Sequence, residues 1–559
     1  MNVRIALAQI NPTVGDLAGN ASHILRSSRT ARDAGADVVL FPEMSLTGYP
    51  PEDLLFEPLF LSKTEKALHA LTKALPRDIL AIVGAPEGEA GRLFNSAFGL
   101  YGGRVRARYH KWFLPNYGVF DEQRYFLEGD KPTVLDLNGV RIGLTICEDI
   151  WRPKGPALAA AQQGAALILN LSASPYHAGK NKQRMDVLRK KSRECGAAIA
   201  YCNMVGGQDE LVYDGGSMVV DRRGNGVAQS PLFKEDVRWV DLALPPARGR
   251  AADISLSLSP RDRGPVVEGP AAPLSPEEEI YTALTLGTRD YVQKNGFTKV
   301  VVGLSGGIDS ALVAAIAVDA LGQENVVGVT MPSRFNSVET RSDAERLAEN
   351  LDIHFLTVGI EDTAQSFLKT LAPLFTGRAL DVTEENLQSR IRGTLLMALS
   401  NKFGWLVLTT GNKSEISSGY FTLYGDSVGG FAVIKDIPKT TVYDLARWRN
   451  SQATKPVIPK STIARAPTAE LKPHQKDQDT LPPYDVLDSI ISQHVEENKG
   501  LAEIVKKGID PAIAAKTLRT IDAMEYKRRQ APLGIKITPR AFGRDRRMPI
   551  TNRFRPYDT

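Results

Sequence analysis

The feature that most limits how this chain can fold is a break near its middle. Prolines at 245, 246, 260, 265, 270, 273 and 276, interspersed with glycine and alanine, separate two long segments in which short apolar runs alternate with amphipathic ones. Proline fixes φ and removes a backbone donor, so residues 245–276 hold no long regular element and read as a linker. The flanking segments, 1–244 and 277–559, are each long enough to bury a core of their own. In the first, VRIALAQI, ADVVLFPE, ILAIVGAP, VRIGLTIC, AALILNLS and AAIAYCN read as strands. LSKTEKALHALTKAL and NKQRMDVLRKKSRECG read as amphipathic helices. In the second, KVVVGL, NVVGVTMP, IHFLTVGI and WLVLTTGN are separated by helical segments, the alternation of a doubly wound parallel sheet. Both halves are therefore expected to be α/β. Residues 451–484 lack periodicity and read as a lid or a disordered loop.

Composition narrows the class. With 43% apolar and 24% charged residues the chain has the balance of a soluble globular protein. Its mean hydropathy is −0.19, and it has no apolar run of the roughly 18 residues a bilayer helix needs, so no membrane partner is expected. Three cysteines without CxxC spacing exclude a disulfide framework. The opening MNVRIALAQINP reads as a strand rather than a secretory signal, and a cytoplasmic enzyme is expected. Net charge is +5, but residues 519–559 alone carry +7 and the remainder −2. Such a tail either faces phosphate or is a solvated face. Its aromatics, Tyr526 and Phe542, are not interleaved as a base-stacking platform requires, so no nucleic-acid partner is expected.

Two places carry chemistry. VRIGLTIC ends at Cys147 and runs into EDIWRPKGPALAAAQQ, which reads as the start of a helix. A cysteine at a strand-to-helix turn lies at the sheet edge, and a helix N-terminus favours its thiolate. Cys195 and Cys202 lack that setting and read as core. Glu148 and Asp149 follow Cys147 directly and would be expensive to bury unpaired. A nucleophilic cysteine needs a base. None of the seven histidines has a suitable context, which leaves a carboxylate. Glu43, in DVVLFPEMSLTGYP, stands at the carboxyl end of an apolar strand, and Lys111, in YHKWFLPNYGVFDEQRYF, is a cation among aromatics. A thiol, a carboxylate base and an ammonium to hold an oxyanion suffice for amide hydrolysis through a thioester.

FPE, K-x-x-LP and ICEDIW, in that order, make residues 2–244 resemble the nitrilase, or carbon–nitrogen hydrolase, superfamily. The resemblance implies a four-layer α-β-β-α sandwich with Glu43 as proton acceptor, Lys111 as second member of a triad and Cys147 as nucleophile. Within the glutaminase branch it implies that Tyr117 of LPNY, Ser174 of NLSASP and Lys180 bind glutamine.

In the second half KVVVGL runs into SGGIDSALVAAIAVDALG. Ser305, Gly306 and Gly307 supply backbone amides at the start of a helix, an arrangement that binds phosphate. The lysine of a GxxxxGK[ST] loop is missing, so an ordinary γ-phosphate NTPase is not expected. SGGIDS resembles instead the loop of ATP pyrophosphatases, which implies attack at the α-phosphate of ATP, with Asp309 helping to hold magnesium. WLVLTTGN leads into KSEISSGYFTLYGD and puts Glu415 at the same sheet edge, where a second magnesium-facing carboxylate fits. TGNKSE, GYFTLYGD, KDIPKTTVYDLARW, TEENLQSRIRG and EYKRRQ make residues 274 to about 554 resemble the NAD synthetase family, with its adenine nucleotide α-hydrolase-like, Rossmann-like sheet. By that resemblance Gly303, Leu304, Ser305, Gly306, Gly307, Ile308, Asp309, Ser310 and Thr410 contact ATP. Asn386, Glu415 and Lys527 contact nicotinic acid adenine dinucleotide, and Lys439 is a further phosphate-side candidate. The basic tail would answer this anionic dinucleotide. Thr468 in APTAEL stands where the family has serine and keeps the hydroxyl.

The two resemblances on one chain imply ammonia made from L-glutamine in the first half and passed through a tunnel to the second. There ATP, as co-substrate with Mg2+ as cofactor, activates deamido-NAD for conversion to NAD, the last step of NAD biosynthesis. The substrates are small molecules, and nitrilase-like domains imply an assembly of at least two chains. The 451–484 lid would exclude water from the adenylate. Besides a non-enzymatic binding protein, which would show no glutaminase activity, two enzyme rivals stay open at this point. One is another amidotransferase with an SGGxDS loop, such as a GMP or asparagine synthetase, although those pair the loop with glutaminases of other types. The other is a tRNA-modifying enzyme, recognisable by steeply salt-dependent tRNA binding.

Overall fold

A computed structural model describes the chain except residues 248–251, 253, 260–261, 267–268, 270–271, 473–474, 555–556 and 558–559. Prolines 260 and 270 of the expected linker, and positions 473–474 of the expected lid, thus lie outside the described residues. The chain forms two compact units, Met1–Leu274 and Ser275–Thr559.

The first unit is built on two sheets. In one, strands run in the order Asp236–Ala243, Asn2–Gln9, Val38–Leu40, Leu80–Glu89, Arg92–Tyr101 and Arg104–His110. In the other the order is Gly226–Gln229, Met218–Val220, Ala198–Asn203, Leu167–Ser172, Val140–Ile146, Val134–Leu137 and Ile254–Leu256. Alternation along each strand decides the layers. Val3, Ile5 and Leu7 of one sheet pack with Ile142, Leu144, Ile146 and Leu169 of the other in a single core. Ala6, Ala8, Val39 and Val83 turn the other way and pack under the helices Leu17–Asp33 and Pro58–Ala74 through Ile24, Ala31, Leu68 and Leu71. Ile168, Ile199 and Met218 do the same under Pro156–Gln162 and Lys180–Cys195. The layers are α-β-β-α, as the resemblance implied. All six strands read from the sequence lie in these sheets. The stretch read as a linker is partly woven into this unit: Ile254–Leu256 pairs in parallel with Val134–Leu137.

The second unit carries a parallel sheet in the order His354–Thr357, Val326–Thr330, Val300–Gly303, Leu406–Thr409 and Phe431–Ala432. The chain enters at the central strand Val300–Gly303, moves outward to one edge, then returns to the other side of it at Leu406–Thr409. The order therefore reverses between these two strands, and ligands of open α/β sheets bind at the carboxyl ends of strands at such a switch point. The helix Ile308–Leu321, apolar on nearly every side, is buried along most of its length. Among the described residues no helix is long and apolar enough to cross a membrane.

Candidate active sites

In the first unit the strand Val38–Leu40 ends just before Pro42 and Glu43. This turn passes so close to the next strand that a Cβ on Gly84 would lie 2.5 Å from the Met44 nitrogen. Glycine at 84 is what lets Glu43 reach inward. Glu43, Lys111 and Cys147 are 1%, 0% and 4% exposed. Lys111, just past the strand Arg104–His110, donates from Nζ to Glu43 Oε1 at 2.7 Å. Glu43 also accepts from Asn95 Nδ2 at 2.7 Å and from the Ala173 amide at 3.1 Å.

A fourth group completes this cluster. Glu122 receives the Lys111 ammonium on both oxygens at 2.8 Å and the Tyr49 hydroxyl at 2.7 Å. Burial pushes its carboxyl up to about 7 in spite of Lys111. Sequence reasoning passed over Glu122. The only signal was its position eleven residues after Lys111 in an aromatic-rich run, which does not distinguish it from a solvated acid.

Cys147 follows the strand Val140–Ile146 and has φ of 41°, left-handed backbone for a residue with a side chain. Strain of this kind concentrates at functional sites. The expected helix N-terminus is not there. Cys147–Ile150 is a single 3-10 turn, and the α-helix begins only at Pro156. The thiolate is accordingly not favoured at rest: burial pushes the thiol well above its ordinary value, Glu43 adds to the effect and Lys111 opposes it. A thiol so held needs the adjacent carboxylate to take its proton.

The two acids after Cys147 are paired. Asp149 accepts from the Ile146 amide at 2.9 Å, the Phe113 amide at 3.0 Å, the Trp112 amide at 3.2 Å and the Tyr109 hydroxyl at 2.6 Å. It fastens the nucleophile turn to the segment bearing Lys111. Glu148 accepts the Tyr117 hydroxyl at 2.8 Å and pairs with Arg152 at 2.9 Å. Ser174 Oγ accepts from Arg184 at 3.2 Å, and Arg184 forms a buried pair with Asp214 at 2.7 Å. Lys180 opens the helix Lys180–Cys195 with its ammonium 4.4 Å from the centre of the Trp151 ring. Burial, then Arg184, lower its pKa to about 8. Tyr117 thus meets the residue that follows Cys147, Lys180 meets Trp151 four residues on, and Ser174 follows Ala173, whose amide donates to Glu43.

In the second unit the SGGIDS loop lies at the switch point, between Val300–Gly303 and Ile308–Leu321. Its shape is set by two serines. The Ser305 amide donates to Ser310 Oγ at 3.3 Å, the Gly307 amide to Ser305 Oγ at 3.2 Å, and Ser310 Oγ to the Gly307 carbonyl at 3.0 Å. Gly306 has φ of 81°, and a Cβ there would stand 2.1 Å from the Thr340 carbonyl oxygen.

Asp309 accepts from Asn412 Nδ2 at 2.9 Å and pairs with Lys439. Lys439 stands 3.6 Å from Glu415 as well, so two carboxylates share one ammonium. Burial, then Asp309, raise the Glu415 carboxyl to about 8. Thr410 begins the loop after Leu406–Thr409, at the same edge. Asn386 accepts the Thr422 hydroxyl at 2.7 Å, and Lys527 donates to the carbonyls of Gly419 and Phe421 at 2.9 Å each. Both thus converge on the turn that follows Glu415. Among the described residues no group of three or more His, Cys, Asp or Glu is arranged to hold a metal alone. Two carboxylates with one shared cation suit a magnesium that takes its other oxygens from substrate phosphates.

Two expectations change. The 451–484 segment, read as structureless, contains the helix Lys460–Ala464 and is fixed to the site: Arg465 donates to the Gly306 carbonyl at 3.2 Å and Thr340 to Glu470 at 2.9 Å. The basic tail is largely consumed at home rather than offered to a ligand. Arg528 holds the Ser417 carbonyl at 2.8 Å, Arg529 pairs with Glu525 at 2.8 Å, and Lys536 pairs with Asp545 at 2.5 Å.

Comparison with known proteins matches each half to a family. The carbon–nitrogen hydrolase family model matches residues 4–250 and the NAD synthase model residues 280–531. The chain is 48% identical to the glutamine-dependent NAD(+) synthetase of Thermotoga maritima and 46% identical to that of Aquifex aeolicus, in each case over 99% or more of both chains. The solved structure of the glutamine-dependent NAD+ synthetase of Acinetobacter baumannii, in complex with ADP, is 42% identical and superposes with a TM-score of 0.76 over 99% of each chain. Matched end to end by such relatives, and by both family models in this order along the chain, the protein belongs to the glutamine-dependent NAD(+) synthetase family.

Proposed function

We propose that this protein converts nicotinic acid adenine dinucleotide to NAD, using ATP and ammonia cut from L-glutamine, and releases AMP, pyrophosphate and L-glutamate. The observation that carries the proposal is the presence on one chain of a sealed thiol–carboxylate–ammonium cluster and an SGGIDS loop at a sheet switch point. Residues 1–244 act as the glutaminase and 277–559 as the synthetase.

In the glutaminase, Glu43 takes the Cys147 proton as sulfur attacks the glutamine carboxamide, and the Lys111 ammonium faces the developing oxyanion. Glu43 returns the proton to the leaving nitrogen. Ammonia departs, and water, deprotonated by Glu43, cleaves the thioester to glutamate. Tyr117, Ser174 and Lys180 hold the amino-acid end of the substrate. Glu122 neutralises Lys111 and keeps it in place.

In the synthetase, the amides of the 303–310 segment and Thr410 cradle ATP. The dinucleotide contacts Asn386, Glu415 and Lys527, and its nicotinate carboxylate displaces pyrophosphate from the α-phosphate. Ammonia then attacks the acyl carbon, loses a proton and expels AMP. Asp309 and Glu415 would hold magnesium, which supplies charge neutralisation for the leaving pyrophosphate. Ammonium is not a nucleophile, so ammonia must arrive before water protonates it, which is why the two activities share a chain and a protected passage. The enzyme acts in the cytoplasm, as an assembly of at least two chains.

The test is isotopic. Glutamine labelled with 15N at the amide should give NAD carrying the label in its carboxamide, with one AMP formed per NAD. Label confined to free ammonium would overturn the proposal.

A further inference from the structure

The basic tail and the strand edge that bears Glu415 meet at one buried lysine. Lys413, the first residue of the helix Lys413–Ser418, is 0% exposed. Its ammonium lies 2.9 Å from Asp436 and 2.8 Å from Glu496, and it donates to Thr538 Oγ1 at 2.7 Å. Asp436 in turn accepts the amides of Ile537 at 2.8 Å and Thr538 at 2.7 Å, and the Thr538 hydroxyl at 2.8 Å. Lys536 braces the same turn through the carbonyls of Thr538 and Pro539 at 2.9 Å each. Ile535 and Ile537 are buried beneath it. Burial alone would drive Lys413 to release its proton, yet Asp436 and Glu496 hold it above its ordinary value.

The residues flanking Lys413 explain why this matters. Asn412 donates from Nδ2 to Asp309 at 2.9 Å, accepts the Glu415 amide on Oδ1 at 3.0 Å and donates its own amide to Glu415 Oε2 at 3.2 Å. The Lys413 amide donates to the Ile437 carbonyl at 2.9 Å, two residues before Lys439. A helix of six residues does not hold its own first turn rigid. Outside ties do so: Ser414 Oγ meets Asp488 and the Lys439 amide, Arg528 holds the Ser417 carbonyl, and among the described residues of the helix Lys413 alone reaches the 535–541 turn.

We infer that Lys413 is a positioning residue of the synthetase centre, tying residues 535–541 of the C-terminal segment to the carboxylate pair Asp309 and Glu415. The tail's share in this tie is the Thr538 hydroxyl and the bracing Lys536. This inference rests on the reading of the second site as the one that uses ATP and magnesium.

The experiment uses the full chain in three variants: Lys413→Met, Thr538→Val, and Lys413→Met with Glu496→Gln, which keeps the net charge of the cluster. Each is assayed for ATP-dependent pyrophosphate release against Mg2+ concentration, for glutamine hydrolysis and for thermal unfolding. Lys413→Met should lower kcat for pyrophosphate release by about tenfold to a hundredfold and raise the Mg2+ midpoint several-fold, the scale of a site displaced by about 1 Å. Glutamine hydrolysis should not change. Thr538→Val, which leaves both ion pairs, should raise the Mg2+ midpoint by about twofold to threefold. The double variant should regain thermal stability without regaining the Mg2+ midpoint. Should Lys413→Met fail to fold, the other two variants decide. A wild-type Mg2+ midpoint in Thr538→Val, or recovery of both stability and midpoint in the double variant, would reduce Lys413 to a structural charge and overturn the inference. If the unaltered protein releases no pyrophosphate with the deamidated dinucleotide, it is the underlying reading that fails instead.

Discussion

The two sites solve opposite problems. In the first unit Glu43, Lys111, Glu122 and Cys147 are sealed from water, each at most 4% exposed, and Lys111 pairs with both carboxylates. Everything the proposed thioester chemistry needs is present before substrate arrives. In the second unit the side chains of Asp309 and Glu415 are each 18% exposed, and they share a single lysine. That centre is complete only when a nucleotide brings phosphates and a cation. A buried charge cluster tolerates no missing member, because each loss strands another charge out of water. A partly exposed carboxylate pair has some water to fall back on. Loss of a single group should therefore be harsher and more local in the first unit, and more graded in the second.

Substitutions can break this contrast. The largest effect is expected from Cys147→Ala: NAD formation from glutamine should fall by about a thousandfold or more, while formation from ammonium salts stays near normal. If both fell together, the two centres would not be separable. Asp309→Asn should cost about a hundredfold in NAD formation from either nitrogen source and leave glutamine hydrolysis intact. Glu122→Gln should lower glutamine turnover by about tenfold to a hundredfold, since Lys111 then has one carboxylate to answer instead of two. Its synthesis from ammonium salts should be unaffected, and an unchanged glutaminase rate would remove Glu122 from the cluster's working members.

A pH effect sharpens the contrast further. The Lys180 pKa is lowered to about 8, chiefly by burial, so its charge is lost as pH rises through that value rather than through the ordinary lysine range. KM for glutamine should accordingly climb above about pH 8, and Lys180→Met should raise KM at pH 7 and flatten the profile. The smallest effect belongs to Thr468→Ser. The hydroxyl that donates to the Gln475 carbonyl at 2.6 Å survives, and rates should stay within about twofold of the parent.

Most of the scaffold was legible because burial on both faces leaves a continuous apolar run, as in AALILNLS and KVVVGL. What escaped were the antiparallel pairs. Arg92–Tyr101 keeps no strict alternation, while Arg104–His110, RVRARYH, alternates exposed arginines with Val105, Ala107 and Tyr109 but lacks apolar density. The better clue was the turn: Gly102 and Gly103, with φ of 61° and 73°, fit a tight hairpin, and so do Asn138 and Gly139 at 50° and 80°. The triad candidates were readable one at a time, from the strand ends that carry them. Glu122 was not, because its value lies in a contact with Lys111 that only the folded chain creates. The helix expected after Cys147 failed for a local reason. Pro153 and Gly155 delay the helix until Pro156, leaving a short turn whose Asp149 is spent on the amides of Ile146, Trp112 and Phe113.

The left-handed φ of Cys147 has an evolutionary side. A sulfur-bearing residue held there costs about 1 to 3 kcal/mol that glycine or asparagine would largely avoid. With Cys147 in its proposed role, mutational drift at this codon is tilted towards a sturdier, inert glutaminase, and demand for amide nitrogen opposes it. In lineages supplied with plentiful external ammonia, position 147 is where decay of the front half should first become visible.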